Sequence, residues 1–208
     1  MLAVAPPIVD PTLSLWVSPW IDEVTEETGH DPRSAYVERF WLGILGPSAT
    51  WFVRSVSYGF EHSPEGFDLA PGEMARVLGL GERTGRHSPF LRCISRLCQF
   101  ELAHYRGGGL VVRATLPWVE TRMVVRMPAQ LQNEHALWDA ADAEASPYRA
   151  MRRRSALMAM SVVRTGGTVR DAERMLGRSG CHPSMVESLA EWAWNQHQLV
   201  LVQTKNRT

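Results

Sequence analysis

Apolar residues in this 208-residue chain recur mainly at three- and four-residue spacing, the period of helices that bury one face. Tyr36, Phe40, Trp41, Ile44 and Leu45 form one such stripe, opened by Asp31-Pro32 and closed by Gly46-Pro47, and it reads as core packing. Trp51, Phe52, Val53, Val56 and Phe60 continue it in a helix predicted from Ala49 to Phe60. Upstream, Ser18-Pro19 has the form of an N-cap and a first-turn proline, with Asp22, Glu23, Glu26 and Glu27 following and Gly29 as the stop, which predicts a short acidic helix. The first fifteen residues, with Pro6, Pro7 and Pro11, read as extended and poorly ordered.

Beyond the turn His62-Ser63-Pro64-Glu65-Gly66 the period shortens, and Phe67-Asp68-Leu69 alternates as a strand does. A helix is predicted to begin at Pro71 and to stop at Gly79. Ala75 offers a small contact to a neighbouring helix, and Leu78 and Leu80 anchor the stop. After Gly81 to His87, a second helix opens at Ser88-Pro89 and runs to about Phe100, and two short strands flank Arg106-Gly107-Gly108-Gly109. The line Glu73-Met74-Ala75-Arg76-Val77-Leu78-Gly79-Leu80, followed by a helix and a glycine-bearing hairpin, resembles the winged helix-turn-helix DNA-binding domains of bacterial regulators. That likeness covers Ser48 to Leu116. Its departure is the turn, longer than the three or four residues of a tight helix-turn-helix. The flanking Leu116-Pro117 step, with a short helix ending at Met127-Pro128, is similar to an uncharacterised actinobacterial protein family.

A helix is predicted over Pro128 to Ala141, with Leu131, His135 and Trp138 on one side, and Asp142 to Pro147 reads as a joint. Arg149, Arg152, Arg153 and Arg154 then lead an apolar helix. Thr168 and Asp171 have capping-box spacing, Leu176-Gly177 closes that helix, and His182-Pro183 opens another through Trp192 and Trp194. The expected fold is mainly α with a small antiparallel β wing: a winged helix-turn-helix with additional N- and C-terminal helices. Its expected parts are an N-terminal extension over 1–47, the winged domain with trailing helices over 48–141, and a C-terminal helical unit over 147–202.

Composition adds a contradiction. Net charge is zero, which speaks against a strong nucleic-acid binder, yet the charge is unevenly placed. Met1 to Ala70 carries ten acidic and three basic residues, Pro71 to Ala140 six and nine, and Ala141 to Thr208 six and ten, so a basic middle and rear follow an acidic front. Cys93, Cys98 and Cys181 are too few for a disulfide framework or zinc ribbon. No apolar run approaches the roughly 20 residues of a membrane span, the start lacks the form of a signal peptide, and a cytoplasmic location is expected.

The resemblance implies double-stranded DNA binding, with Arg83, Arg86, His87, Ser88, Arg92 and Arg96 at and along the second helix, and Arg106 and Arg113 in the wing. Arg92 and Arg96 stand four apart and share a helical face, and arginine both grips phosphates and reads guanine. A transcriptional regulator follows from this, with a homodimer through the C-terminal helices bearing Trp192, Trp194, Leu199 and Leu201. A bland alternative makes these arginines a solvated face answering Glu73, Glu82 and Glu101. A second alternative is a winged adaptor that docks a protein on Asp22, Glu23, Glu26, Glu27 and Asp31, or on the Trp192-Trp194 helix. A third has the acidic front, Met1 to Gly29, cover the basic helix. Arg152-Arg153-Arg154 reads either as a charged helix start or as the seat of an anionic partner. No catalytic, metal or cofactor site is predicted: the seven histidines are scattered, no phosphate-loop motif is present, and Glu134-His135 with Asp139 lacks an orienting partner.

Overall fold

The computed structural model describes residues 14–81 and 88–205. The chain is mainly helical and divides into two compact units, 1–123 and 124–208. In the first, β1 (Leu15–Trp20) leads to α1 (Glu23–Thr28), then to α2, whose wide π-type turn Val37–Trp41 continues into Leu42–Leu45. Next come α3 (Pro47–His62), β2 (Phe67–Leu69), α4 (Pro71–Val77), α5 (Pro89–Gln99), β3 (Ala103–Arg106) and β4 (Gly109–Arg113). A short α6 (Thr121–Val124) marks the junction of the units. The second unit holds α7 (Ala129–Ala145), α8 (Pro147–Arg164), α9 (Val169–Arg178) and α10 (Pro183–Lys205).

The sheet departs from the expected wing. Its order is β2-β1-β4-β3, with β1 antiparallel to β2 and parallel to β4. The hairpin β3–β4 is antiparallel, as expected, but the sheet as a whole is mixed, because the N-terminal strand lies between β2 and the hairpin. The helix expected from Ser18-Pro19 therefore does not begin there, and Leu15–Trp20 is a strand. Pro19 is tolerated there because β2 pairs only with Leu15, Trp16 and Val17, leaving β4 as the sole neighbour at Pro19. The acidic helix starts later, at Asp22, whose carboxylate accepts from the Thr25 amide at 2.8 Å.

The aromatic stripe of α2 is core: Tyr36, Phe40 and Trp41 are all but fully buried. It also holds the chain after β4. Trp41 Nε1 donates to the Pro117 carbonyl at 2.9 Å, the Val119 amide donates to the Tyr36 hydroxyl at 3.0 Å, and Trp118 Nε1 donates to the Thr28 carbonyl at 2.8 Å. His30 and Leu116 exchange backbone hydrogen bonds at 2.8 and 2.9 Å, so the Leu-Pro step is where this unit closes on itself.

The ends of α4 and α5 share one device. At α4, Gly79 takes a left-handed φ of 66°, the Gly79 amide donates to the Arg76 carbonyl at 3.0 Å, and the Leu80 amide donates to the Ala75 carbonyl at 2.8 Å, the paired bonds of a Schellman stop. At α5 the left-handed residue is Glu101, φ 58°, with the Leu102 amide donating to the Leu97 carbonyl at 2.9 Å.

In the second unit α7 groups with the C-terminal helices, so the break lies near residue 123 and the expected joint at 142–147 is an interhelical corner inside the unit. Its core is built of Ala150, Ala156, Ala159, Ala172, Ala190 and Ala193 with Val163, Leu176, Met185 and Leu189. Alanines on three helices let the axes approach closely. The Thr168–Asp171 capping box is present in both directions.

Two glycines should separate sterics from propensity. A Cβ at Gly29 would lie 2.5 Å from the Leu116 carbonyl and 2.6 Å from that of Thr25, whereas Gly43 has nothing within 4 Å. Gly29→Ala should cost about 1–3 kcal/mol, and Gly43→Ala should be neutral or stabilise by up to about 1 kcal/mol. Urea denaturation midpoints with unchanged m-values check both.

Candidate nucleic-acid interface

The helix expected to face DNA, α5, is strongly two-sided. Phe90, Leu91, Cys93, Ile94 and Leu97 are buried, while Arg92 and Arg96 are exposed. It packs on α3 and α4, and Ala75 of α4 is buried. Burial pushes the Cys93 thiol up to about 12, which leaves it an unreactive core side chain.

The eight expected contact residues part company. Arg83, Arg86 and His87 lie outside the described residues. Ser88 stands at the N-cap of α5, but its side chain makes no capping hydrogen bond and is buried; its carbonyl accepts from the Arg92 amide at 3.0 Å. Arg92 is exposed and forms no ion pair among the described residues. Arg96 is exposed but engaged: its Nε and Nη2 donate to the Ile44 carbonyl at 3.1 and 2.6 Å, and its guanidinium lies 5.0 Å from the Phe100 ring centre. It caps the C-terminal end of α2, where a cation suits the helix dipole. Arg106 is exposed at the end of β3, beside Gly107 and Gly108 with φ of 58° and 82°. Gly109 is not at the tip; it is buried where a Cβ would meet the Trp16 carbonyl at 2.9 Å. Arg76, which the sequence reading leaves out, is exposed in the last turn of α4.

Arg113 corrects the expectation of a wing cation. It is 8 % exposed, pairs with Asp22, donates from Nη1 to the Thr25 hydroxyl at 3.2 Å and from Nε to the Glu101 carbonyl at 2.9 Å, and lies 3.9 Å from the Trp20 ring centre. Burial works to raise the Asp22 carboxyl, but the Arg113 charge and the hydrogen bonds from Thr25 and Arg113 outweigh it, and the carboxyl sits below its ordinary 3.8. His104 stands edge-on to the same Trp20, 4.6 Å between ring centres. Burial, with the charges of Arg106 and Arg113, pushes it down to about 4.

The other charged clusters are answered internally as well. Arg149 and Arg153 pair with Asp142, and Arg153 also with Asp139, so these two arginines of α8 have carboxylate partners on α7, while Arg154 is exposed. Asp31 is held by Arg33, which also reaches Glu61 at 2.6 Å. Asp22 and Asp31 are therefore not a free acidic docking face. Nor can Met1 to Gly29 be a removable cover, because it includes β1, which lies between β2 and β4. Among the described residues no group of three His, Cys, Asp or Glu could hold a metal ion, and no helix is long and apolar enough to cross a membrane. A scan against protein-family models, a search of curated proteins and a search of solved structures each return no match to this chain.

The Arg113 environment makes stability fall in two steps as pH drops. The folded state holds His104 neutral from its unfolded value near 6.5 down to about 4. Over that window the unfolded chain binds the extra proton, and stability declines with falling pH. A second loss begins near 3.8 and runs lower as Asp22 is protonated. Urea midpoints across pH should show both steps, and His104→Phe should shrink the first, leaving the share of His135, which burial also lowers, and should not change the second. Arg113→Met, which strands a buried carboxylate, should cost about 3–5 kcal/mol at neutral pH.

Proposed function

We propose that the N-terminal unit binds double-stranded DNA, with α5 presented to the major groove and the β3–β4 turn set against the backbone, and that the protein is a bacterial transcriptional regulator. The observation that carries this reading is a pair of exposed arginines, Arg92 on α5 and Arg106 on the hairpin, neither neutralised by a carboxylate among the described residues. An arginine without an ion pair on a two-sided helix, next to a glycine-tipped hairpin, supports phosphate and base-edge contact. Arg96 serves as a positioning residue, fixing α5 against the end of α2. Arg113 serves the fold. Leu199 and Leu201, each 41 % exposed on α10, are consistent with the proposed dimer contact, which would double the cationic surface.

A protein-docking reading is favoured by a different observation, the exposed aromatic face of α3, where Trp51 and Tyr58 are each 59 % exposed two turns apart. It shares the unit but not the residues.

Anisotropy titration with a mixed-sequence duplex between roughly 50 and 200 mM salt separates the two. Binding should weaken steeply with salt. Arg92→Ala and Arg106→Ala should each lower the slope of log K against log salt by about 1 without changing the denaturation midpoint. Salt-independent binding, or a slope unchanged in the double variant, would sink the DNA reading; recovery of one stoichiometric protein partner that Trp51→Ala abolishes would establish the other.

A further inference from the structure

We infer that α7 is a hinged arm whose C-terminal end is latched to α8 by ion pairs at Asp142 and Asp139. A helix of 17 residues in a bundle ordinarily buries an apolar stripe. In α7 the most deeply buried residue is Asp142, while Leu137 is 70 % exposed. The other helices of the unit differ: α8 buries Ala150, Ala156, Ala159 and Val163, and the ten-residue α9 buries Ala172 and Leu176.

The charges sit where each helix disfavours them. Asp142 is in the last turn of α7, near its negative end, and Arg149 and Arg153 are in the first two turns of α8, near its positive end. Each misplacement is relieved by the other. Asp142 takes Arg149 on one carboxylate oxygen and Arg153 on the second, the latter at 3.2 Å, with Asp142 and Arg153 each 7 % exposed at the side chain. Arg153 reaches back one turn of α7 to Asp139, which is 41 % exposed.

The two helices are joined by a single residue, Ser146, at φ −148° and ψ 81°, followed by Pro147. A proline at the first position of α8 disfavours a helical residue before it, so α7 and α8 cannot fuse into one rod when the latch opens. The opened state is a swing about Ser146. Each half of the latch alone is a buried or misplaced charge, which makes the open and closed arrangements discrete. The latch determines whether α7, the helix that follows the junction of the units, moves with α8–α10.

Hydrogen exchange of the full chain tests this. Asp142→Asn should speed exchange of the α7 amides about tenfold or more, with those of α8, α9 and α10 unchanged. Asp139→Asn, which leaves Asp142 in place, should speed α7 to a smaller extent and again selectively. If Asp142→Asn unfolds the whole unit, Asp139→Asn decides. Unchanged α7 exchange in Asp139→Asn, or acceleration shared equally by all four helices, overturns the latch.

Discussion

Burying a guanidinium is costly unless charge and hydrogen-bond partners meet it, and Arg113 is met by both. Asp22 supplies the opposite charge, the Thr25 hydroxyl and Glu101 carbonyl accept from Nη1 and Nε, and the Trp20 ring covers one face. Those partners come from the start of α1, the turn after α5 and the end of β1. Arg113 itself closes β4, whose register sets Trp20 opposite it. One side chain thus fastens the parallel strand pair to the helix stop after α5. The left-handed Glu101, an unfavourable conformation for a residue with a Cβ, is held by that carbonyl contact as well as by its helix-stop bonds. The Arg96 contact with the Ile44 carbonyl fixes the same helix from its other side.

Local chemistry was readable wherever a short stretch carried its own cause. The Leu78-Gly79-Leu80 stop, the Thr168–Asp171 box, the hairpin around Gly107 and the proline-led start of α5 depend on residues within a few positions of one another. Each lies where the sequence places it. β1 was misread because Ser18-Pro19 satisfies a helix-start rule locally. What overrides it is pairing with β4, more than ninety residues away, and the early end of β2 that removes the need for a donor at Pro19. Alternation of buried Leu15 and Val17 with exposed Trp16 was the available signal, cut short by the proline. The hairpin is antiparallel as its sequence implies, but its parallel neighbour β1 is not legible, since nothing near Arg106 announces it.

The candidate site was less readable than the fold because a sequence shows arginine as charge and not as destination. Arg92, Arg96, Arg106 and Arg113 read alike as interface cations. One is exposed without an ion pair among the described residues, one caps α2, one flanks the hairpin tip and one is core. Arg149 and Arg153 likewise meet the carboxylates of α7. Both units therefore spend arginine inward, where its planar fork serves several acceptors at once and loses little entropy per bond.

A zero net charge suggests a surface with no electrostatic preference only if cations and anions are equally exposed. Here Asp22 and Asp142 are withdrawn with Arg113 and Arg153, so the interior pairs cancel among themselves and leave the exposed charges to set the field. Long-range steering depends on that exposed remainder and its clustering, because charges more than a Debye length apart, about 8 Å in physiological salt, are largely screened from one another. The relevant quantity for α5 is the local charge around Arg92, not the sum over the chain, because withdrawing acids and cations in pairs leaves that sum where it was.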